Sequence, residues 1–190
     1  MSERRPAAFL DRDGTIIHDV DYISRPEDVR IVRGAAAAIG RLNDAGIPVI
    51  IISNQSGIGR GYFTHEAFER VQARIEELLG VRGAHIDATY ICPHAPADPP
   101  TCACRKPRVA LFEQAARDHD VDVARAWYAG DKWRDVEPGR VLGGSAFLIP
   151  ASSTPPEDLA RARALGIVRR SLTELVQEMI TALTGGHGRR

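Results

Sequence analysis

The chain has 190 residues, and its 25 basic and 25 acidic side chains cancel to a formal net charge of zero. A neutral chain has no net field that attracts nucleic acid or an anionic membrane surface, so we expect neither as a partner. The first residues lack the apolar region of a signal peptide, and no apolar run approaches the roughly 20 residues of a membrane span. We therefore expect a cytoplasmic protein, and we separately expect a monomer.

Short apolar runs alternate with helical patterns, which predicts an α/β protein with a Rossmann-like, doubly wound parallel sheet and helices on both faces. The predicted strands are 7–10, 47–53, 86–92, 126–129 and 145–149. The predicted helices are 34–45, 65–80, 109–118 and 172–183, and a proline-rich link follows the last strand. The length suits one domain, 1–184, followed by a flexible tail, 185–190.

Polar or small residues follow the carboxyl ends of four of these strands, at positions 10, 53, near 92 and 129. Ligands of open α/β sheets bind outside the carboxyl ends of the strands, so we expect the chemistry there. The first of these segments, LDRDGT, places Asp11 and Asp13 two residues apart. One carboxylate can attack phosphorus as a nucleophile while its neighbour handles a proton, with Mg²⁺ offsetting the repulsion between anions. The alternative is a loop whose aspartates only stabilise a turn.

Two further segments offer groups that bind phosphate. After the second strand, SNQSGIGRG supplies the Ser53 hydroxyl, the Asn54 amide and backbone N–H groups freed by glycine. Arg105 and Lys106 follow the cysteine cluster directly. Taken alone, the first segment is also typical of a glycine-rich surface turn, and a basic pair is also typical of a solvated face.

A fourth segment, AGDKWRD, follows the strand 126–129 and contains three charged candidates. Asp131 is a second possible metal carboxylate, Lys132 a possible phosphate or substrate contact, and Asp135 a supporting acid. The alternative is the start of a helix, with Asp135 in its first turn.

All three cysteines of the chain lie in the segment 92–104, together with a histidine. Cys92, His94, Cys102 and Cys104 form a Cys₃His set that suits tetrahedral zinc, and four protein ligands leave no open position, so the zinc would be structural. This zinc loop contains too few apolar residues to order itself by packing. Unliganded cysteines, a redox pair and an iron–sulfur site remain alternatives, although neither a C-x-x-C pair nor ferredoxin spacing is present.

The four strand-end segments, in this order, closely resemble the motifs of the haloacid dehalogenase superfamily of phosphohydrolases over residues 7–150. The resemblance implies that Asp11 attacks phosphorus, and that Asp13 protonates the leaving oxygen and then activates water. It implies that Ser53 and Lys106 hold the phosphoryl group, and that Mg²⁺ is bound by the Asp11 carboxylate, the Asp13 backbone carbonyl and Asp131.

The cysteine spacing before RKP resembles the branch of that superfamily containing phosphatases of heptose bisphosphates and of histidinol phosphate. The segments DYISRPEDV and SNQSGIGRGYF lean towards the heptose enzymes, which implies removal of the 7-phosphate from a heptose 1,7-bisphosphate. The resemblance implies that substrate contacts come from Asp19, Tyr22, Ser53, Asn54, Gln55, Ser56, Arg105, Lys106 and Lys132.

Two other functions stay open at this point. A histidinol-phosphate phosphatase would use the same motifs, and a zinc-stabilised binding module would use the cysteine loop without catalysis. A nucleic-acid module should show a basic stripe with interleaved aromatic residues, whereas this chain is neutral and only 6% aromatic. Only about 18 residues separate Asp13 from Ile31, and about 11 separate Ser53 from the next helix. We therefore expect no sizeable cap domain over the site.

Overall fold

The computed structural model describes residues 4–96 and 102–185, and in these a five-stranded sheet runs through the molecule. Every pair of neighbouring strands is parallel, and the order across the sheet is β3-β2-β1-β4-β5. The strands are β1 (Ala8–Leu10), β2 (Val49–Asn54), β3 (Ala88–Cys92), β4 (Trp127–Gly130) and β5 (Ser145–Leu148).

Helices connect the strands. They are α1 (Ala35–Asp44), α2 (Ser56–Gly59), α3 (His65–Gly80), α4 (Ala110–Asp118), α5 (Trp133–Val141), α6 (Pro156–Ala164) and α7 (Leu172–Gly185), with a short 3₁₀ helix at Pro26–Asp28. Thr64 caps α3 by accepting a hydrogen bond from the Ala67 N–H at 3.2 Å, and Ser171 accepts one from the Glu174 N–H at the start of α7, also at 3.2 Å.

The apolar run of β2 is buried on both faces because successive side chains of a strand point to opposite sides. Val49 and Ile51 pack with α1, α3 and α7, whereas Ile50 and Ile52 pack with α4, α5 and α6. The predicted α/β fold, doubly wound with helices on both faces, is confirmed. The connections between β1 and α1 and between β2 and α3 carry only one helical turn each among the described residues, so no sizeable cap domain is present there.

Three of the helices in the described residues, α2, α5 and α6, are absent from the predicted helices. The predicted proline-rich link contains the start of α6, because Pro156 stands at the first position of that helix, where its missing N–H costs nothing. Glu157 and Asp158 in the first turn and Arg161 and Arg163 in the last turn complement the helix dipole. The segment after Asp131 also continues into α5, and the Asp135 carboxylate accepts the Lys132 N–H at its start, at 3.0 Å.

Two predicted segments lie partly outside the described residues: 97–101 of the zinc loop and 186–190 of the predicted tail, while Gly185 ends α7. Within the described part, none of the helices combines the length and the apolar character needed to cross a membrane.

Candidate active site

The site lies where the strand order reverses. β1 is central, β2 lies on one side and β4 on the other, so the segments that follow these three strands meet at one edge of the sheet. The Asp11 N–H donates to the Ala129 carbonyl at 2.8 Å, which joins the first segment to the fourth. The sheet topology therefore brings together residues more than 100 positions apart.

Lys106 is buried at the centre of the site, only 3% exposed. Its Nζ lies 2.7 Å from Asp11 Oδ1, 2.7 Å from Asp135 Oδ1 and 2.6 Å from the Ile52 carbonyl oxygen. Burial by itself lowers the pKa of Lys106, but the charges of Asp11 and Asp135 outweigh it and raise that pKa above its ordinary value. The side chain is therefore a fixed ammonium group beside Asp11.

Asn54 connects the end of β2 to the segment that carries Lys106. Its side-chain Nδ2 donates to the Lys106 carbonyl at 3.1 Å, and its Oδ1 accepts the Lys106 N–H at 3.0 Å. The resemblance implies that Asn54 contacts the substrate, whereas in the structure its side chain holds the Lys106 backbone.

Asp131 is fully buried against Gly14. A Cβ added to Gly14 would lie 2.6 Å from the Asp131 carboxylate, so only glycine allows this close approach. Asp131 Oδ2 accepts a hydrogen bond from the Ser153 hydroxyl at 3.0 Å and lies 3.2 Å from Lys132 Nζ. Asp131 Oδ1 is buried and has no hydrogen-bond partner among the described residues.

The carboxylate oxygens of Asp11, Asp131 and Asp135 lie within 4.8 Å of one another. Burial, followed by the charges of Asp11 and Asp135, raises the pKa of Asp131 to about 7, so this corner of the site has excess negative charge. A hard divalent cation bound by carboxylate oxygens would offset that charge, and the free Asp131 Oδ1 offers a ligand atom. The three carboxylates therefore form a donor set that fits Mg²⁺.

Asp13 points to the other side of the site. Its carboxylate accepts two hydrogen bonds from the adjacent Arg12 and one, at 2.8 Å, from Gln55 Nε2. The same Gln55 Nε2 lies 2.8 Å from the hydroxyl of the buried Ser53. One amide therefore bridges the first and second segments.

These segments enclose a cavity of about 330 Å³. Its lining includes most of the residues predicted from the sequence: Asp11, Asp13, Asp19, Tyr22, Ser53, Asn54, Gln55, Ser56, Arg105 and Lys132. Lys106 and Asp131 lie behind the lining, beside Asp11. Sequence reasoning missed three lining residues, Arg12, Arg60 and Arg134. Each lies inside one of the quoted strand-end segments, and that position could have marked it as a candidate.

Two features shape the mouth of the cavity. Asp19 accepts a hydrogen bond from Lys132 Nζ at 2.9 Å, which connects the loop after β1 to the start of α5. Tyr22 has a left-handed backbone, φ 54°, and its ring meets that of Tyr62 edge to face at 4.7 Å. The two rings are 45% and 59% exposed, so they form an open rim.

Arg60, Arg105 and Arg134 line the same cavity. Burial lowers the pKa of Arg105, and the positive charges of Arg134 and Arg60 lower it further. Arg134 and Arg60 therefore repel Arg105, and an anion bound beside Arg105 would relieve that repulsion.

The cysteine cluster forms one wall beside this cavity. Cys92 Sγ lies 3.7 Å from Cys102 Sγ, 3.6 Å from His94 Nδ1 and 3.0 Å from Cys104 Sγ, and His94 Nδ1 lies 3.2 Å from Cys104 Sγ. Tetrahedral zinc with Zn–S of about 2.3 Å would place two sulfurs about 3.8 Å apart. The four donor atoms all lie within 4.8 Å of one another, and all three cysteines are free, so the set fits a structural zinc ion.

Comparisons with known proteins agree with this geometry. A family model described as HAD-hydrolase-like matches residues 103–175. A protein of Helicobacter pylori (strain J99) named D-glycero-beta-D-manno-heptose-1,7-bisphosphate 7-phosphatase is 40% identical over 140 residues, which cover 73% of this chain and 79% of that protein. A Thermosynechococcus vestitus protein named D-glycero-D-manno-heptose-1,7-bisphosphate 7-phosphatase is 38% identical over 154 residues, covering 76% and 79%.

A solved structure gives the same similarity in three dimensions. The crystal structure of D,D-heptose 1,7-bisphosphate phosphatase from B. bronchiseptica, complexed with magnesium and phosphate, matches with a TM-score of 0.83 and 30% identity. The match covers 93% of this chain and 99% of that chain.

Proposed function

This chain belongs to the haloacid dehalogenase-like family of phosphatases, and from that premise we propose that it removes the 7-phosphate of D-glycero-D-manno-heptose 1,7-bisphosphate. The observation that carries the substrate proposal is the set of cations around one cavity. Lys106 lies beside Asp11 behind the lining, and Arg60, Arg105 and Arg134 line the wall. A bisphosphate would place its reacting phosphate over Asp11 and its second phosphate among the arginines.

In the proposed reaction, an Asp11 carboxylate oxygen forms a bond to phosphorus while the bond between phosphorus and the sugar oxygen breaks. Asp13 gives its proton to the sugar oxygen as that oxygen leaves. Asp13 then takes a proton from water, whose oxygen attacks phosphorus, so that inorganic phosphate leaves and Asp11 is restored. Lys106 and the Ser53 hydroxyl neutralise and orient the phosphoryl oxygens during both steps.

Asp11, Asp131 and the Asp13 backbone carbonyl are the proposed ligands of Mg²⁺. When bound, Mg²⁺ offsets the repulsion between the attacking carboxylate and the phosphate oxygens. Zinc held by the Cys₃His set is proposed to order the wall that ends at Arg105 and Lys106. Three free thiols suit a reducing compartment, so we propose a cytoplasmic enzyme, acting as a monomer.

The direct test is a panel of phosphate esters, with released phosphate measured for the wild-type protein and for Asp11→Asn. We expect the highest kcat/KM for heptose 1,7-bisphosphate, lower values for histidinol phosphate and fructose 1,6-bisphosphate, and no activity in the variant. Cleavage of histidinol phosphate with heptose bisphosphate left intact would overturn the substrate proposal. Equal phosphate release by wild type and Asp11→Asn would overturn the proposed nucleophile.

A second test concerns the arginines. In Arg105→Gln we expect KM for heptose bisphosphate to rise at least about tenfold, because a charge-assisted contact to the second phosphate is lost. The KM for p-nitrophenyl phosphate, which has only one phosphate, should change little. Arg82→Gln removes an exposed arginine outside the cavity and serves as the control. Equal effects on both substrates would argue against a second phosphate site.

A further inference from the structure

Arg12 lies between the two aspartates of LDRDGT and is only 1% exposed. Its Nε lies 3.1 Å from Asp13 Oδ2, and its Nη2 lies 3.0 Å from Asp13 Oδ1. This fork contacts both oxygens of the neighbouring carboxylate. None of the roles described above uses the Arg12 side chain.

A buried guanidinium is costly unless its donors are satisfied, and here they are only partly satisfied. Arg12 Cζ lies 5.0 Å from the centre of the Phe68 ring, and Nη1 is buried with no hydrogen-bond partner among the described residues. The contact with Asp13 is therefore not an efficient way to stabilise the fold. Its position, at the edge of the cavity, points to a role in the reaction.

The contacts also distinguish the two oxygens of Asp13. Among the described residues, Oδ2 accepts hydrogen bonds from both Arg12 Nε and Gln55 Nε2, whereas Oδ1 accepts one, from Arg12 Nη2. A carboxylate oxygen has two lone pairs in its plane, so Oδ2 is fully occupied and Oδ1 has one position free. The geometry selects Oδ1 as the atom that can exchange a proton.

We propose that Arg12 is a positioning residue, which orients the Asp13 carboxylate so that Oδ1 faces the leaving oxygen of the phosphate ester. This inference rests on the proposed function. In the transfer step the proton passes from Asp13 Oδ1 to the ester oxygen while the bond from that oxygen to phosphorus breaks and the Asp11–phosphorus bond forms. In the hydrolysis step Oδ1 takes a proton back from the attacking water.

Leaving groups that differ in their need for a proton test this role. p-Nitrophenolate is a stable anion and leaves without protonation, whereas the phenolate of phenyl phosphate is more basic and benefits from an acid. In Arg12→Met, kcat/KM for phenyl phosphate should fall at least about tenfold more than kcat/KM for p-nitrophenyl phosphate, because general acid catalysis contributes about 100-fold or more. We use kcat/KM because it reports the steps up to formation of the aspartyl-phosphate and does not depend on the later hydrolysis of that intermediate.

Arg12→Lys keeps a positive charge on a side chain of similar length but cannot form the fork. It should show the same selective fall in kcat/KM for phenyl phosphate. Arg25 supplies a matched control, because it forms the same fork with Asp28, at 2.9 and 3.1 Å, on the exposed surface. Arg25→Met should leave both substrates unaffected. An equal loss on the two aryl phosphates in both Arg12 variants, or no loss, would overturn the positioning role. The heptose assay tests the substrate separately, so the two proposals can fail independently.

Discussion

Ser153, in the loop after β5, contacts two adjacent charged residues of the site, Asp131 and Lys132. Its hydroxyl donates to Asp131 Oδ2 at 3.0 Å and lies 3.5 Å from Lys132 Nζ. Thr154 Oγ1 donates to the Asp131 carbonyl at 2.8 Å. The loop after β5 therefore fixes both the side chain and the backbone of a proposed metal ligand.

Ser153→Ala should weaken Mg²⁺ binding about 10-fold or more, because partners that orient a ligand are typically worth that much. The measurement is the Mg²⁺ concentration that gives half-maximal hydrolysis of p-nitrophenyl phosphate. Ser152→Ala, one residue earlier in the same loop and also exposed, is the control and should leave this concentration unchanged. An unchanged value in Ser153→Ala would contradict the orienting role.

Asn54 allows a similar comparison between two sites in the same molecule. The Asn54 side chain makes two hydrogen bonds to the Lys106 backbone. Outside the cavity, Asn43 Nδ2 donates to the His85 carbonyl at 3.2 Å, and Asn43 Oδ1 accepts the His85 N–H at 2.9 Å. Each alanine variant should lose about 1–3 kcal/mol of unfolding free energy. Only Asn54→Ala should also lose activity, because only that pair holds a residue beside Asp11. Equal activity in the two variants, measured at equal folded fraction, would contradict the role of Asn54 in holding the Lys106 backbone.

Sequence reasoning located many of these residues because each of its four segments follows a strand. It could not locate Ser153, which belongs to the site only because β5 lies beside β4 and returns the chain to Asp131. It also passed over Arg12 and Arg134, since an arginine inside a motif has no periodicity that indicates which way it points. The structure shows that the Arg12 side chain contacts Asp13 and that Arg134 lines the cavity.

At the scale of whole elements, the sheet was predictable because β2 is an uninterrupted apolar run and β-branched residues favour strands. α6 was not predictable from composition, since the prolines that precede it are equally common in links and at helix starts. Residues 92 and 93, at the start of the zinc loop, lie against α2 and the residue before it. There, the Gly59 N–H donates to the Pro93 carbonyl and the Gln55 N–H donates to the Cys92 carbonyl, each at 2.8 Å.

Cys102→Ser should lower the melting temperature and the activity together, because a lost zinc ligand loosens the segment that carries Lys106. Zinc content is measured by mass spectrometry of the native protein, alongside thermal unfolding. Ala103→Ser introduces the same hydroxyl at an exposed neighbouring position and should change neither quantity. Unchanged zinc content and melting temperature in Cys102→Ser would contradict the proposed structural zinc site.

At the scale of the whole molecule, α7 completes the core on one face of the sheet. It packs against α1, and its buried residues join the cluster that contains Leu10, the residue before Asp11. α7 supports the strand ends but contributes no side chain to the lining of this cavity. Stability and catalysis should therefore be separable on this face.

Leu175→Ala tests that separation, because Leu175 is almost fully buried and its loss leaves a cavity under the sheet. The free energy of unfolding should fall by about 2–5 kcal/mol. The free energy of unfolding is measured from the denaturant midpoint. At low temperature, kcat/KM per folded molecule should equal that of the wild type. Leu165→Ala, at a half-exposed leucine after α6, should shift the midpoint far less. A fall in kcat/KM that matches the loss of stability would show that the packing of α7 also sets the geometry around Asp11.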